Sequence, residues 1–241
     1  MALKLYLDMV SQPCRAVYMF AKKNNIPFTF KHVSLMKGEH LGEEFGKISI
    51  TRKVPAMRDG DFCLVESVAI MMYMAQKFNT PDSWYPAGLQ QRSRVDEFLS
   101  WQHLDLRVFG TKMFWYKNLI PKILGQDVPQ DKMDELMEDL NNSLNTVENK
   151  FLRDKLFIAG DHITLADLTA ITEIIQPVAT GLKLFEERPK LRAWHDRVRA
   201  AIGAELFDDA HKVLMGLEEN AKEVDASKLQ FFRPMCLKMI S

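Results

Sequence analysis

Residues 11–14, which read Ser-Gln-Pro-Cys, form the segment with the clearest chemical potential in the chain. They stand where an alternating strand pattern changes into a helical one, and a dithiol redox site at such a junction would have cysteine at both ends of the motif. Ser11 takes the place of the first cysteine, so dithiol chemistry is lost. The helix start still offers unpaired amides and a dipole that favour an anion. Ser11 can therefore donate a hydrogen bond to a ligand thiolate, or serve only as a helix cap.

Two further segments offer contacts for a small peptide. Pro55 follows Val54 at the start of a predicted edge strand, which is compatible with a cis peptide bond and would present backbone groups to a bound peptide. Glu66 and Ser67 begin a predicted helix, where Ser67 and a backbone amide can hold a carboxylate while Glu66 holds an ammonium group. Each feature alone is also an ordinary cap or edge proline. Together with Ser11 they offer three contacts for a zwitterionic peptide that carries a thiol.

The first 80 residues have the pattern of a mixed α/β unit that would position these groups. Alternating apolar residues predict strands over 3–8 and 27–33, and one helix between them predicts parallel pairing. Asp59-Gly60 between two short apolar runs predicts an antiparallel hairpin. The helix that begins at Glu66 has its apolar positions at 68, 71, 72 and 75.

The rest of the chain has a helical pattern. Apolar residues recur at three- and four-residue steps over 131–151, Thr164 with Asp167 predicts a capping-box helix start, and Pro189 begins another helix. We predict an α/β domain over 1–79, a linker over 80–87, an all-α domain over 88–224 and a C-terminal tail over 225–241.

The composition argues against several classes of function. The 32 Lys and Arg residues are balanced by 32 Asp and Glu residues, which disfavours binding to nucleic acid or to an anionic membrane surface. No apolar run approaches the ~20 residues of a membrane span, and no secretory leader is expected. Cys14, Cys63 and Cys236 predict neither a disulfide framework nor a metal site, so we expect a reducing, cytoplasmic location.

Several longer segments resemble the theta class of glutathione transferases, and the similarity extends over essentially the whole chain. The segments that carry it are residues 11–28, 52–62, 66–70, 163–171 and 188–194. The Ser-Gln-Pro-Cys-Arg start replaces the tyrosine that several other classes have near the N-terminus. The resemblance implies a thioredoxin-like N-terminal domain followed by an all-α helical domain. It also implies a homodimer, with glutathione as co-substrate and no resident cofactor.

The resemblance implies a glutathione site in the first domain. Ser11 would donate a hydrogen bond to the glutathione sulfur and activate it as a thiolate. The other contacts, in order from the glycyl to the γ-glutamyl end of the peptide, would come from His40 and Lys53, from Val54, and from Glu66 with Ser67. Asp105, placed in the first long helix of the second domain, could reach glutathione bound to the partner subunit.

The electrophile would bind between this site and the helical domain. Arg107 and Trp115, on the same long helix, would face the first domain, and Phe232 belongs to a tail that would cover the site. Arg107 can stabilise an anionic leaving group such as halide or sulfate, or it can form a surface ion pair. Trp115 and the tail can equally be packing residues. Three residues match structural positions of the family, namely the cis-proline Pro55 and the capping pair Thr164 and Asp167.

We therefore expect a detoxifying enzyme that conjugates reduced glutathione to small electrophiles such as halides, sulfates and epoxides, with organic-hydroperoxide peroxidase activity in addition. Two alternatives stay open. One is a glutaredoxin-type thiol oxidoreductase that uses Cys14, which is disfavoured because Cys14 occupies the inner position of the motif. The other is a non-catalytic, transferase-like binding or assembly module.

Overall fold

A mixed four-stranded sheet precedes a set of helices in the computed structural model, which describes residues 3–217 and 226–241. The elements of the first part are β1 (Leu3–Leu7), α1 (Gln12–Lys23), β2 (Phe28–His32), α2 (Glu43–Gly46), β3 (Ala56–Asp59), β4 (Phe62–Val65) and α3 (Ser67–Lys77). The strand order is β2-β1-β3-β4, with β1 parallel to β2 and β3 antiparallel to both of its neighbours. The predicted β-α-β unit and hairpin are confirmed.

Local sequence explains most of these elements. Leu3, Leu5 and Leu7 are buried while the residues between them are half-buried, as the alternation predicts. Pro13 lies in the first turn of α1, where a missing amide hydrogen has no cost. Gly60 has a φ of 62° in the turn between β3 and β4, a conformation that glycine adopts without strain.

The buried side of α3 differs from the apolar positions that the sequence indicated. The buried side chains are Ser67, Ile70, Met71 and Met74, whereas residues 68, 72 and 75 are half-buried. The run 68–75 is apolar throughout, so its periodicity does not select one face. The half-buried side of α3 contributes to a cavity described below.

The second part of the chain is helical, as predicted. Its elements are α4 (Leu89–Gln102), α5 (Leu106–Phe114), a π-helical turn (Trp115–Leu119), α6 (Ile120–Leu124), α7 (Gln130–Thr146), a second π-helical turn (Val147–Leu152), α8 (Leu165–Val178), α9 (Pro189–Ile202) and α10 (Ala204–Met215). A 3₁₀ segment (Ala226–Phe232) and α11 (Arg233–Ile240) follow. None of the described helices has the length and apolar composition that a bilayer crossing requires.

The placement of Asp105 in one long helix was wrong. The chain breaks after α4, and Asp105 has φ −125° and ψ −95° at the N-cap of α5. Its carboxylate accepts a hydrogen bond from the Ser143 hydroxyl of α7. This bond gives the break a buried partner in a neighbouring helix, which helical periodicity alone does not reveal.

Helix α8 is the centre of the helical part, and every residue from Leu165 to Pro177 is buried. Its predicted capping box is present: Thr164 accepts from the Ala166 amide, and Asp167 accepts from the Thr164 amide at 3.0 Å. Asp167 also accepts from the indole of Trp194 at 2.9 Å and from the Ile158 amide at 2.8 Å. Burial raises the pKa of Asp167, and these hydrogen bonds oppose that effect.

The two parts of the molecule meet where α1 packs against α8. Arg15 of α1 is fully buried, and its guanidinium donates to the carbonyls of Met9 (3.1 Å) and Val10 (2.8 Å) at the start of its own helix. On the other side it donates to the Thr172 carbonyl (3.1 Å) and to Gln176 Oε1 (2.8 Å) in α8. One side chain thus joins the loop before α1 to the central helix of the second part.

The C-terminal segment packs on α6 and on the π-helical turn before it. Leu229 and Cys236 are its buried residues, and Tyr116 donates its hydroxyl to the Met239 carbonyl at 2.7 Å. Arg233 donates to the Ile123 carbonyl at 3.4 Å. The domain boundaries at 79 and 87 stay predictions, and the division at 224 and 225 lies outside the described residues.

Replacing Gly110 by alanine tests the packing of α5 on α8. A Cβ at Gly110 would lie 3.0 Å from the Glu173 carbonyl oxygen, so the two helices would have to separate. We expect Gly110→Ala to lower the free energy of unfolding by about 1–3 kcal/mol, as overpacking in cores does. Urea unfolding measures this. Gly160→Ala is the matched control, since no atom lies within 4 Å of its Cβ position; equal loss in both variants would contradict the explanation.

Candidate functional site

Ser11 lies at the N-cap of α1 with extended backbone (φ −80°, ψ 126°), and its hydroxyl makes no capping hydrogen bond. Its amide donates to the Asp8 carbonyl at 3.0 Å, which holds the turn between β1 and α1. The side chain is half-buried and interacts with the Cys14 thiol one turn on. Because the hydroxyl is not used by the helix backbone, the simple cap interpretation does not describe its role.

The Cys14 thiol is fully buried, and burial raises its pKa to about 12. Its hydrogen bonds to Ser11 and to the Asp8 backbone lower the pKa of the thiol, but by less than burial raises it. A thiol in this environment stays protonated near neutral pH, and the thiolate is the reactive form. The structure therefore disfavours redox chemistry at Cys14.

A cavity of about 210 Å³ opens next to the N-terminus of α1. Its walls include four of the predicted peptide-binding residues, Lys53, Val54, Glu66 and Ser67, together with the predicted electrophile residue Arg107. The cavity therefore collects groups from the sheet edge, from the start of α3 and from α5.

The two turns of this cavity that are predicted to bind a peptide have unusual backbone geometry. The Val54–Pro55 peptide bond is cis, as predicted. Glu66 has φ 69° and ψ 114°, a conformation that side-chain-bearing residues rarely adopt. Such residues cost about 1–3 kcal/mol and concentrate at functional sites. Glu66 is exposed whereas Ser67 is buried, so one turn offers an accessible carboxylate beside a protected hydroxyl.

His40 and Asp105 do not line this cavity. His40 lies in a short 3₁₀ segment (Glu39–Leu41), and its buried Nδ1 has no hydrogen-bond partner within the described residues. Burial lowers the pKa of His40, and the Asp8 carboxylate partly offsets this. Asp105 is engaged by Ser143 in its own chain.

Arg107 does not form the surface ion pair that was one of its two interpretations. Its side chain is 17% exposed and pairs with Glu173, which is 0% exposed. Both Nε (2.8 Å) and Nη2 (2.7 Å) lie against the same oxygen, Oε1 of Glu173. Nη1 lies 3.4 Å from His103 Nδ1. Burial raises the pKa of Glu173, while Arg107 and Arg15 act in the opposite direction.

Trp115 and Phe232 are in contact, and the tail reaches both parts of the molecule. The Phe232 ring meets the Trp115 ring edge-on, with 5.1 Å between the ring centroids. It stacks on the His40 ring with 6.4 Å between the centroids and an interplanar angle of 18°. The Phe231 ring lies 3.4 Å from the point that a Cβ on Gly38 would occupy. The tail thus joins the loop around His40 to the π-helical turn that begins at Trp115.

Sequence reasoning missed three residues that this geometry brings forward. Gln12 is buried and donates to the Thr111 hydroxyl of α5 at 2.7 Å, while His103 and Glu173 surround Arg107. The sequence offered a signal for Glu173, because an acid that follows Leu168 and Ile171 and precedes Ile174 and Ile175 in a predicted helix needs a partner when it is buried. Gln12 and His103 had no comparable signal.

A second cavity of about 490 Å³ adjoins the first. The two share Glu66, Ser67 and His103, and the second continues along Val68 and Met72 of α3 to helix α4. This is the half-buried apolar side of α3. Within the described part of the chain, no group of three or more His, Cys, Asp or Glu residues is arranged to hold a metal ion.

Comparison with known families gives two matches that together cover much of the chain. The family described as "Glutathione S-transferase, N-terminal domain" matches residues 5–82, and the family described as "Glutathione S-transferase, C-terminal domain" matches residues 107–201. The chain is 48% identical to glutathione S-transferase theta-1 of Homo sapiens over 240 residues, covering 100% of each. It is 51% identical to glutathione S-transferase theta-3 of Mus musculus over 215 residues, covering 89% of each.

Solved structures show the same likeness. Human glutathione-S-transferase T1-1 in its apo form superimposes with a TM-score of 0.92 at 47% identity, with 100% of both chains covered. A human theta-class glutathione transferase in complex with the glutathione conjugate of 1-menaphthyl sulfate gives a TM-score of 0.92 at 43% identity, again over 100% of both. The resemblance that the sequence motifs indicated is confirmed in sequence and in fold.

Alkylation of the native protein tests the environment of Cys14. At pH 8 a thiol with a pKa of about 12 is only about one part in ten thousand thiolate. We expect iodoacetamide to leave Cys14 unmodified in the native protein and to modify it after denaturation, as peptide mass spectrometry would detect. The half-buried Cys63 is the internal reference. Modification of native Cys14 at the rate of the denatured thiol would contradict its burial and restore the redox alternative.

Proposed function

Since the chain belongs to the glutathione S-transferase family and is a theta-class enzyme that conjugates glutathione, we propose that its Ser11 hydroxyl activates the glutathione thiol. The observation that carries this proposal is the position of Ser11 at the N-cap of α1, with a hydroxyl that the helix backbone does not use. Pro13, in the first turn of the same helix, lines the cavity. The thiolate would attack the electrophile, and Ser11 would remain a hydrogen-bond donor throughout.

A hydrogen bond from Ser11 and the N-terminus of α1 together can stabilise the thiolate enough for activation without a general base. A thiol with an ordinary pKa of about 8.5 is only a few per cent thiolate at neutral pH. Lowering that pKa by about two units requires ~2.7 kcal/mol in favour of the thiolate. A hydrogen bond to a charged group supplies roughly 1.5–3 kcal/mol, and a helix N-terminus adds about 0.3–1 kcal/mol.

The peptide would lie along the edge of the sheet from the His40 loop to the start of α3. The glycyl carboxylate would bind His40 and Lys53, the cysteinyl backbone would pair with Val54, and the γ-glutamyl end would bind Glu66 and Ser67. The cavity that collects Lys53, Val54, Glu66 and Ser67 supports this orientation. Asp105 would reach glutathione in the partner subunit.

The electrophile would bind between Arg107, Trp115 and Phe232. As the C–X bond breaks, Arg107 would stabilise the charge that develops on a departing halide, sulfate or epoxide oxygen. The human theta-class enzyme in complex with the glutathione conjugate of 1-menaphthyl sulfate supports sulfate esters as one substrate class. Organic hydroperoxides are a further proposed substrate class for the same thiolate.

We also propose a cytoplasmic homodimer that acts in detoxification. The cavity along Val68 and Met72 supports dimerisation, because a second subunit would cover apolar surface that α3 leaves half-buried. The three cysteines are free thiols, which suits a reducing compartment. Glutathione is the co-substrate, and the proposal requires no resident cofactor.

Removing the Ser11 hydroxyl tests the proposed thiol activation. We expect Ser11→Ala to lower kcat about 100-fold at neutral pH, because ~2.7 kcal/mol of thiolate stabilisation would be lost. The Kd for glutathione should change much less. Mass-spectrometric detection of conjugates with alkyl halides measures the rate, and Cys14→Ala should retain most activity as the control. Full activity in Ser11→Ala would refute the proposal.

Truncating Phe232 tests whether the tail supports the peptide site as well as covering the electrophile. We expect Phe232→Ala to weaken binding of S-methylglutathione by about 2- to 10-fold, since an aromatic pair contributes roughly 0.5–1.5 kcal/mol and Phe232 stacks on His40. Calorimetry measures the Kd. Met235→Ala is the control, because Met235 is exposed on α11. An unchanged Kd in Phe232→Ala would leave the tail with no role at the peptide site.

A further inference from the structure

Glu173 is a fully buried acid on a fully buried helix, and the proposed chemistry does not yet use it. Its Oε1 accepts a hydrogen bond from Nε of Arg107 and lies 2.7 Å from Nη2. Among the described residues, neither Nη2 of Arg107 nor Oε2 of Glu173 has a hydrogen-bond partner, although both atoms are buried. The Arg15 guanidinium, which binds the neighbouring Thr172 carbonyl and Gln176, also favours its ionised form. Glu173 thus lies between a guanidinium of α1 and one of α5.

Stability alone does not explain this acid. Replacing a buried ion pair by apolar residues of similar size is often neutral or stabilising, because desolvation of the charges offsets their attraction. Here one carboxylate oxygen stays unpaired, which adds to the cost of burial. Well-packed apolar residues at both 107 and 173 would avoid that cost.

The arrangement has a directional consequence for Arg107. The Nε hydrogen bond and the ion-pair contact of Nη2 place one edge of the guanidinium against Glu173, so Nη1 lies on the opposite edge. Nη1 lies toward His103, and Arg107 and His103 both line the cavity that holds Lys53, Glu66 and Ser67. The edge of the guanidinium that faces away from Glu173 therefore lies beside His103 at the wall of this cavity.

We propose that Glu173 is a positioning residue for the electrophile step, which holds Arg107 through the Nε hydrogen bond and the buried ion pair so that the guanidinium stays at the cavity wall for the departing anion. This inference rests on the proposed role of Arg107. In the reaction, the thiolate sulfur forms a bond to carbon while the carbon–halogen or carbon–oxygen bond breaks, and the electron pair leaves with halide or sulfate. Glu173 touches neither substrate and acts only through Arg107.

Two variants separate the acceptor oxygen from the charge. Glu173→Met has similar length and volume but no acceptor, so Arg107 would lose its anchor. Glu173→Gln keeps an oxygen that can accept from Nε and Nη2 but carries no charge. If Glu173 acts by fixing the position of the Arg107 guanidinium, Glu173→Gln should restore most of the activity that Glu173→Met loses.

Benzyl chloride and benzyl sulfate provide the readout, because they give the same thioether and differ only in the leaving group. For benzyl chloride, charge develops only in the transition state, so Glu173→Met should lower kcat about tenfold or more with little change in KM. Benzyl sulfate is charged before reaction, so its KM should rise by a similar factor. Thr172→Val is the control: it removes a buried hydroxyl that bonds only within α8, and both substrates should react as in the wild type.

The outcomes distinguish Glu173 from Arg107. The inference is supported if Glu173→Met lowers kcat for benzyl chloride and raises KM for benzyl sulfate, and if Glu173→Gln restores both values. It is further supported if adding Glu173→Met to Arg107→Gln causes no additional loss of activity. An equal loss of kcat for both substrates with unchanged KM would indicate a merely structural residue and overturn the inference, as would faster reaction in both Glu173 variants. Wild-type kinetics in Arg107→Gln would instead refute the proposed role of Arg107. Should Glu173→Met fail to fold, Glu173→Leu takes its place in the same comparison.

Discussion

The buried guanidinium of Arg15 is the interaction on which the arrangement of the molecule depends. It satisfies two carbonyls before α1 and two acceptors on α8, so the start of α1 cannot move relative to the helical part without leaving a buried charge unpaired. Burial lowers the pKa of Arg15 to about 10, which leaves the side chain charged at physiological pH. Ser11, one turn earlier, is held in the same arrangement.

From this contact the site extends in two directions. Along the sheet, the turns at Val54 and Glu66 bring backbone and side-chain groups to one cavity. Along the helices, Glu173 connects the Arg15 side of α8 to Arg107 at the cavity wall. Neither part of the chain forms the site alone, and Phe232 adds a third connection by touching residues of both. We interpret the active site as a property of the interface between the two parts.

Much of the fold could be predicted because its signals are local. The alternation of Leu3, Leu5 and Leu7, the Asp-Gly turn and the Thr164 capping box each depend on residues close in sequence. Local pattern was insufficient for the buried side of α3, where positions 68–75 are all apolar. It was also insufficient for the break before α5, where Asp105 accepts a hydrogen bond from Ser143 of α7. The pairs Arg107–Glu173 and His40–Phe232 join distant segments, so the motifs predicted candidate site residues without revealing which contacts hold them.

The central claim is that the start of α1, with Ser11, stabilises a thiolate. The most direct measurement is the pKa of the glutathione thiol bound to the wild-type enzyme, by ultraviolet difference titration of the thiolate absorbance. We predict a value about two units below the ordinary thiol pKa of about 8.5, so that bound glutathione is mostly thiolate at neutral pH. A bound thiol that titrates at its ordinary pKa would contradict the claim.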